Sequence, residues 1–266
     1  GQPGFTQANR AGDPLLTPEF TQEFELGTNI ELFSGRIDLD FTVYNRNSTD
    51  QIANISIPSA SGFEQFTTNF GDLNNRGVEV GLRVVPIRTT SGLTWDIFAN
   101  FTKNVSEVVE LADGIERINI RNLFGGGIRP VLQEGQPYGA LYGTTAAKDE
   151  DGNFLIDPNT GAFFPSQKNN GFDIIGDPNP NFNLGLINEI SYKNISFSAI
   201  LDYRDGGDIY STTVERLLGR GVVADTEDRE PSLILPGFLG DRTTGEPILD
   251  EQGNKVPNTI QVTTND

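Results

Sequence analysis

The chain has 266 residues, with 19 Lys and Arg against 37 Asp and Glu, a formal net charge of −18. That balance excludes nucleic acid as a partner, because no basic stripe is available to displace phosphate counterions. Cysteine, methionine and histidine are all absent, which removes disulfides, thiolate metal sites, thiol nucleophiles and histidine-based triads or general bases. No run of about 18 apolar residues exists, so a transmembrane helix is excluded. A membrane β-barrel stays open, since its strands carry apolar residues only at alternate positions. Apolar residues make up 36% of the chain, with 30 Gly and 15 Pro. This is lean for a soluble core, yet 18 Phe, 6 Tyr and 1 Trp are too many for disorder. The missing Met points to a processed or excised piece.

Period-two alternation dominates, and it comes in pairs of segments. Phe24, Leu26, Thr28, Ile30 and Leu32 alternate with acidic and polar neighbours, followed by Ile37, Leu39, Phe41 and Val43 after a turn at Phe33, Ser34 and Gly35. Val78, Val80, Leu82 and Val84 precede Trp95, Ile97, Ala99 and Phe101, joined through residues 86–92. Phe182, Leu184, Leu186, Asn188, Ile190 and Tyr192 precede Ile195, Phe197, Ala199, Leu201 and Tyr203, turning at Lys193 and Asn194. These patterns predict three antiparallel hairpins with strands at about 20–33, 35–48, 76–87, 93–103, 181–192 and 194–204. Long loops are expected at about 45–75, 104–180 and 205–266.

On one face every named position is apolar except Thr28 and Asn188. A soluble sandwich gives the same alternation. Strand length separates the two, because segments of about 9–13 residues exceed the soluble mean of about 5–6 and match the ~9–11 of a spanning strand. Short turns at one rim and long loops at the other also suit an outer-membrane barrel. Aromatics sit toward both rims: Phe33, Trp95 and Tyr192 near the short turns, Phe24, Phe101, Phe182 and Tyr203 toward the loops.

The stretches LLTPEFTQEFELGTNIELFSGRIDLDFTVYNRNSTDQI, TNFGDLNNRGVEVGL, WDIFANFTKN, EGQPYGALYG and GDPNPNFNLGLINEISYKNISFSAILDYRDGGDIYSTT resemble SusC/RagA-type TonB-dependent transporters. The resemblance implies an all-β fold: part of a 22-stranded outer-membrane barrel, with short periplasmic turns and long extracellular loops. It further implies an N-terminal plug, TonB as the energising partner, a SusD-like surface lipoprotein as lid, and uptake of oligosaccharides or peptides across the bacterial outer membrane. Residues 1–266 read as a partial barrel domain that needs the remainder of the parent barrel and its plug. No signal peptide, plug or TonB-contacting segment is recognised, and the chain closes on Thr263, Thr264, Asn265 and Asp266 rather than on a terminal aromatic strand. About six strands alone should not be self-sufficient, since two sheet edges and an apolar face are left without partners.

No catalytic residue is assigned. Phe124, Tyr138 and Tyr142, with Phe154, concentrate aromatics in the longest loop, where stacking beside Asn and Asp would suit a sugar. The rival expectation is that so long a loop packs its aromatics on itself. Asp149, Asp151, Asn153 and Asp157 alternate oxygen side chains around Gly152, an arrangement that suits Ca²⁺. The competing and favoured reading is a β-turn whose Asp and Asn satisfy their own backbone. Asp250, Gln252, Gly253 and Asn254 form a weaker copy. Gly125, Gly126 and Gly127 lack the Lys-Ser/Thr of a P-loop. Lumen-facing acids, Glu25, Glu31, Asp38, Asp40, Glu79 and Asp96, would wet an inner wall. Two other functions compete: a soluble extracellular β-sandwich adhesin or carbohydrate-binding module, and a glycosidase built on a carboxylate pair.

Overall fold

A computed structural model describes residues 8–120, 127–167, 171–227 and 232–263. The chain forms two compact units: Gly1–Ile120, Val131–Ala140 and Asp177–Asp208 in the first, and Arg121–Pro130, Leu141–Gly176 and Ile209–Asp266 in the second.

The first unit is built on one antiparallel sheet. Its strands are β2 (Phe20–Leu32), β3 (Ile37–Ser56), β4 (Gln65–Arg88), β5 (Leu93–Leu111), β11 (Pro180–Tyr192) and β12 (Ile195–Gly206). Their spatial order is β12-β11-β5-β4-β3-β2. A short strand β1 (Arg10–Gly12) pairs in parallel with Gln65–Thr67 of β4, in register positions beyond the end of β5, whose pairing with β4 begins at Gly71.

Register turns the alternation of each strand into rows that cross the whole sheet. Ile30 pairs with Leu39, Leu39 with Leu82, Leu82 with Ala99, Ala99 with Leu186 and Leu186 with Leu201. One residue along, Asn29, Asp40, Gly81, Asn100, Gly185 and Asp202 line up in the same way. Successive side chains point to opposite faces, so the first row lies on an apolar face and the second on a polar one. A one-residue slip would exchange them all. The apolar residues of the outer strands are not covered by a second sheet: Phe24 is 70% exposed and Ile195 75%. That removes the soluble sandwich and fits a sheet whose apolar side meets lipid.

Three tight turns join the hairpins. Phe33, Ser34 and Gly35 all take positive φ, as does Lys193, which lets the chain reverse within a few residues. Midway along the polar face, Tyr44 stands opposite Gly77. A Cβ at Gly77 would come within 2.5 Å of both the Tyr44 hydroxyl and the Lys103 carbonyl oxygen. Only glycine lets the tyrosine lie across the neighbouring strand.

The strands are longer than the alternation predicts. The expected loop at 45–75 is mostly strand, because β3 runs 20 residues and β4 24 residues, leaving 57–64 as the connection. At ~3.3 Å per residue β4 is roughly 80 Å long, well beyond the ~30 Å of a hydrocarbon core. Likewise β5 continues to Leu111. Beyond the apolar rows neither face needs to be apolar, so Asn45, Arg46, Asn47, Ser48 and Thr49 carry no periodic signal. Register shifts between Ser48 and Ile52 further break the pattern. Here the first unit builds its packed core: Phe70, Val108, Leu111, Ile118 and Leu132 are buried together. Ile118 and Asn119 of β6 (Ile118–Asn119) pair with Leu132 and Val131 of β7 (Arg129–Leu132).

In the second unit, β8 (Ala140–Thr144) pairs with β10 (Phe172–Gly176) through residues 141–144. Strand β9 (Leu155–Ile156) pairs in parallel with β14 (Phe238–Leu239), and β13 (Ser232–Leu233) pairs with β15 (Val262–Thr263). One helix, α1 (Thr212–Gly219), is capped by Ser211, whose side chain accepts the Val214 N–H. Ala147, Leu155 and Phe164 form the small core, with Phe238 packed against it.

Lysine placed at Leu39 of the full-length protein should lower folding stability in lipid bilayers by about 2–4 kcal/mol, and much less at Asp38 on the other face. Equal tolerance in urea-titrated liposome folding would contradict the assignment of faces.

Candidate functional site

Among the concavities along the polar face of the sheet, two differ in chemistry. The first, of about 460 Å³, is lined by Glu23, Glu25, Glu79, Arg46, Tyr44 and Asn104 among others. Arg46 donates to the Glu23 carboxylate at 2.8 Å, and the Tyr44 hydroxyl donates to Asn104 Oδ1 at 3.0 Å. Further along the same face Arg83 binds the Asp96 carboxylate at 2.7 Å and stacks over the Phe98 ring at 5.2 Å. Of the expected lumen-facing acids Asp96 is therefore paired with an arginine within the wall, as is the neighbouring Glu23.

The second concavity has a different chemistry. About 390 Å³ in volume, it lies against the packed core, with Phe70, Leu73, Ile118 and Leu132 as its floor. Gln51, Asn54, Gln65 and Asn119 are among its lining residues, although Asn54 and Gln65 turn their side chains to the other face, where Thr67 and Arg10 bind them. Ile120 and Tyr138 complete the lining with Ile52 and Ala53, and no charged side chain is among them. Strand alternation fixes which face it occupies. From Glu79 through Gly77 and Asn75 to Leu73 the pairing of β4 with β5 is unbroken, so Leu73 shares the polar face.

Tyr138, expected as a ligand contact, is 43% exposed and borders this cavity. Its backbone is held at both ends: the N–H donates to Ser106 Oγ at 3.3 Å, and the carbonyl accepts from Asn179 Nδ2 at 3.0 Å. Tyr142 belongs to the second unit, where it is 7% exposed and stacked on Phe172 at 5.7 Å between centroids. That is a packing position. Phe124 lies outside the described residues. The carboxamides were missed by an aromatic-led reading. Three of them fall in a stretch, 51–71, that has Glu64 as its single charge.

The acidic loop is a turn, and its neighbours explain its charge. Asp149 Oδ1 accepts the N–H of Asp151 at 3.1 Å and of Asn153 at 2.8 Å, with Gly152 at positive φ. Asp250 accepts from Gln252 and Asn254 in the same way, around Gly253. Lys255 Nζ reaches the Asp149 carboxylate at 2.7 Å and also binds Asp151. Asp157 stands on a separate turn, 2% exposed, with Arg242 at 3.0 Å and the Asn159 N–H at 2.8 Å. Among the described residues no three acidic side chains gather closely enough to hold a metal ion.

Burial acts to raise the Asp149 pKa, but hydrogen bonds from Lys255 and Asn153 outweigh it and hold the group at about 2, below its ordinary 3.8. For Asp157 the Asn159 N–H is the leading influence and lowers the pKa against burial. A depressed carboxyl stabilises the fold above its unfolded pKa, and that contribution disappears as pH falls through the folded one. Exchange protection of the Asp149 and Leu155 amides in the full-length protein should therefore fall between pH about 4 and about 2. In Lys255→Met the loss should begin at higher pH. An unchanged pH profile in that variant would show that Lys255 does not support the turn.

A family model described as "TonB dependent receptor-like, beta-barrel" matches residues 1–214. TonB-dependent receptor P26 of Formosa agariphila is 27% identical across 92% of this chain and 27% of its own length. TonB-dependent receptor P3 of the same organism is 30% identical across 79% of this chain and 22% of its own length. TonB-dependent receptor SusC of Bacteroides thetaiotaomicron is 27% identical across 73% of this chain and 20% of its own length. The chain thus spans between 20% and 27% of these curated relatives. Among solved structures, the RagAB peptide transporter matches with a TM-score of 0.58 at 23% identity, over 74% of this chain and 22% of that one. The RagAB peptide importer in its closed-closed state gives 0.58 at 22% identity, over 74% and 22%. The structural likeness is one of fold.

Proposed function

Because the chain belongs to the TonB-dependent receptor β-barrel family, whose members are outer-membrane proteins, we propose that it forms part of the wall of a nutrient importer for oligosaccharides or peptides. The observation that carries this reading is the six-strand sheet with one apolar and one polar face and an open edge at each side, β2 and β12. In hydrocarbon each unpaired backbone group costs several kcal/mol, so further strands of the parent barrel pair at both edges. The polar face then lines the lumen, beside a plug.

The short turns at Phe33–Gly35 and Lys193 lie at the periplasmic rim, and the extended ends of β3, β4 and β5 lie outside the cell. A SusD-like lipoprotein lids the loops and TonB supplies the energy through the plug. The curated relatives are named TonB-dependent receptors and the RagAB structures a peptide transporter and importer, which supports the transport part of this reading. No chemistry is performed on the nutrient: the relatives are named receptors and transporters rather than enzymes. No metal enters this reading, since Lys255 already supplies the positive charge beside Asp149 and Asp151.

Deleting the parent gene should abolish growth on the transported oligomer while hydrolysis of the parent polymer at the cell surface continues. If the purified chain itself cleaves the polymer, the transporter reading gives way to the glycosidase.

A further inference from the structure

Resting on the reading of the sheet as a barrel wall, we propose that Arg76 and Lys103 form a binding site for the phosphate group of an anionic lipid in the outer leaflet. Both residues stand on the apolar face, toward the end of the sheet away from the short turns.

Register places them there. Tyr44, Gly77 and Asn104 are opposed across three strands, and the Tyr44 hydroxyl reaches Asn104 over the glycine, so these three share the polar face. Side chains one residue along point the other way, which turns Arg76 of β4 and Lys103 of β5 to the apolar face. Thr28, Phe41, Val80, Phe101, Leu184 and Tyr203 make an uncharged row on that face across all six strands. The next row brings Lys103 beside Val78, and the one beyond brings Arg76 beside Val105. Lys103 stands ten residues beyond Leu93 on β5. That is ~33 Å along the strand, or about 25 Å of height at a tilt of roughly 40°, the height of the apolar band in outer-membrane barrels. Its ammonium therefore emerges at the outer headgroup level.

A cation at that level needs an anion, and the protein supplies little. Among the described residues Lys103 makes no hydrogen bond or ion pair, and Arg76 has one ion pair, to Glu107 at 3.8 Å. Asp205, also on the apolar face, is occupied by Asn181 and the Tyr203 hydroxyl. Cations that neutralise the acidic wall lie on the polar face instead, as Arg46 does beside Glu23 and Arg83 beside Asp96. Arg76 and Lys103 are diagonal neighbours on adjacent strands, about 7–8 Å apart at their bases, and two long side chains can meet one phosphate across that span. Arginine supplies a planar fork and lysine a point charge. A cavity of about 170 Å³ opens beside Lys103, and its one carboxylate, Asp177, is turned to the Asn179 N–H at 2.9 Å.

The surroundings select a lipid over a free anion. Phe101 and Phe182 have ring centroids 5.5 Å apart, and Phe182 and Tyr203 5.9 Å, an aromatic group of the kind that sits at a membrane interface. With Val78 below Lys103 it gives acyl chains a surface to lie on, while inorganic phosphate would gain nothing from it.

Native mass spectrometry of the full-length protein in detergent tests the site. Bisphosphorylated lipid A should remain bound, and its dephosphorylated form and phosphatidylethanolamine should bind at least about tenfold more weakly. Lys103→Gln and Arg76→Gln should each weaken lipid A binding about fivefold, while Lys103→Arg stays within about twofold. Equal binding by the Gln variants, equal binding of the dephosphorylated lipid, or displacement of lipid A by inorganic phosphate would overturn the lipid site. Folding into liposomes separates this from the reading on which it rests. A wild-type protein that does not insert overturns the barrel wall, whereas one that inserts but shows no preference for lipid A overturns this site alone.

Discussion

A backbone placed where no water can reach must satisfy its own hydrogen bonds, and nearly everything in the first unit follows from that requirement. Thirteen-residue β2 pairs with β3 along its full length, from Phe20 opposite Thr49 to Leu32 opposite Ile37. The same unbroken pairing runs from Leu93 opposite Tyr192 to Thr102 opposite Asn183. Continuous pairing forbids bulges through the apolar zone, and where the ladder does shift, at Ser48–Ile52, Asp72–Leu73, Val84–Ile87 and Pro180–Phe182, the positions lie toward its ends. Once register is fixed in this way, side-chain alternation sorts chemistry to one face or the other without further instruction. The opposition of Tyr44 and Gly77 shows how tightly: a large side chain on the inner face is accommodated by deleting the one across from it.

Where the strands leave that zone, a different force takes over. Water can now satisfy either edge, and the sheet persists only if something packs on it. The inner face of β4 and β5 passes from Glu79, Gly77 and Asn75 to Leu73, opposite the fully buried Val108. Ile118 and Leu132 arrive from later segments to cover this patch. A hydrophobic core thus forms on the side of the sheet that is polar lower down. The cavity beside Tyr138 lies where that covering is incomplete.

This division explains what could be read from the sequence. The apolar rows announce themselves because one medium lies along one face, so Leu39 or Val80 needs no knowledge of distant residues. The outer halves of β3 and β4 carry no such signature: Asn47, Ser48, Thr67 and Thr68 are polar whichever way they point, and pairing alone makes them strand. Tyr138 and Tyr142 are four residues apart and chemically alike, yet one is half-exposed and the other buried. The difference comes from Phe172, thirty residues on, which covers Tyr142 alone. Lys255 beside Asp149 is a contact across 106 residues, beyond any local pattern, although the turn chemistry of each loop was legible in its Asp and Gly.

The distribution of charge along the polar face joins these levels. Glu23, Glu25 and Glu79 surround a single Arg46 in the first concavity, so the wall there is net negative, and narrow clefts with low-dielectric sides concentrate such a field. An anionic solute approaching along this face would be opposed, a cationic one would be retained by the carboxylates, and a neutral one would be affected by neither. The tight register that seals the backbone from lipid therefore also sets the sequence of environments that a passing molecule would meet.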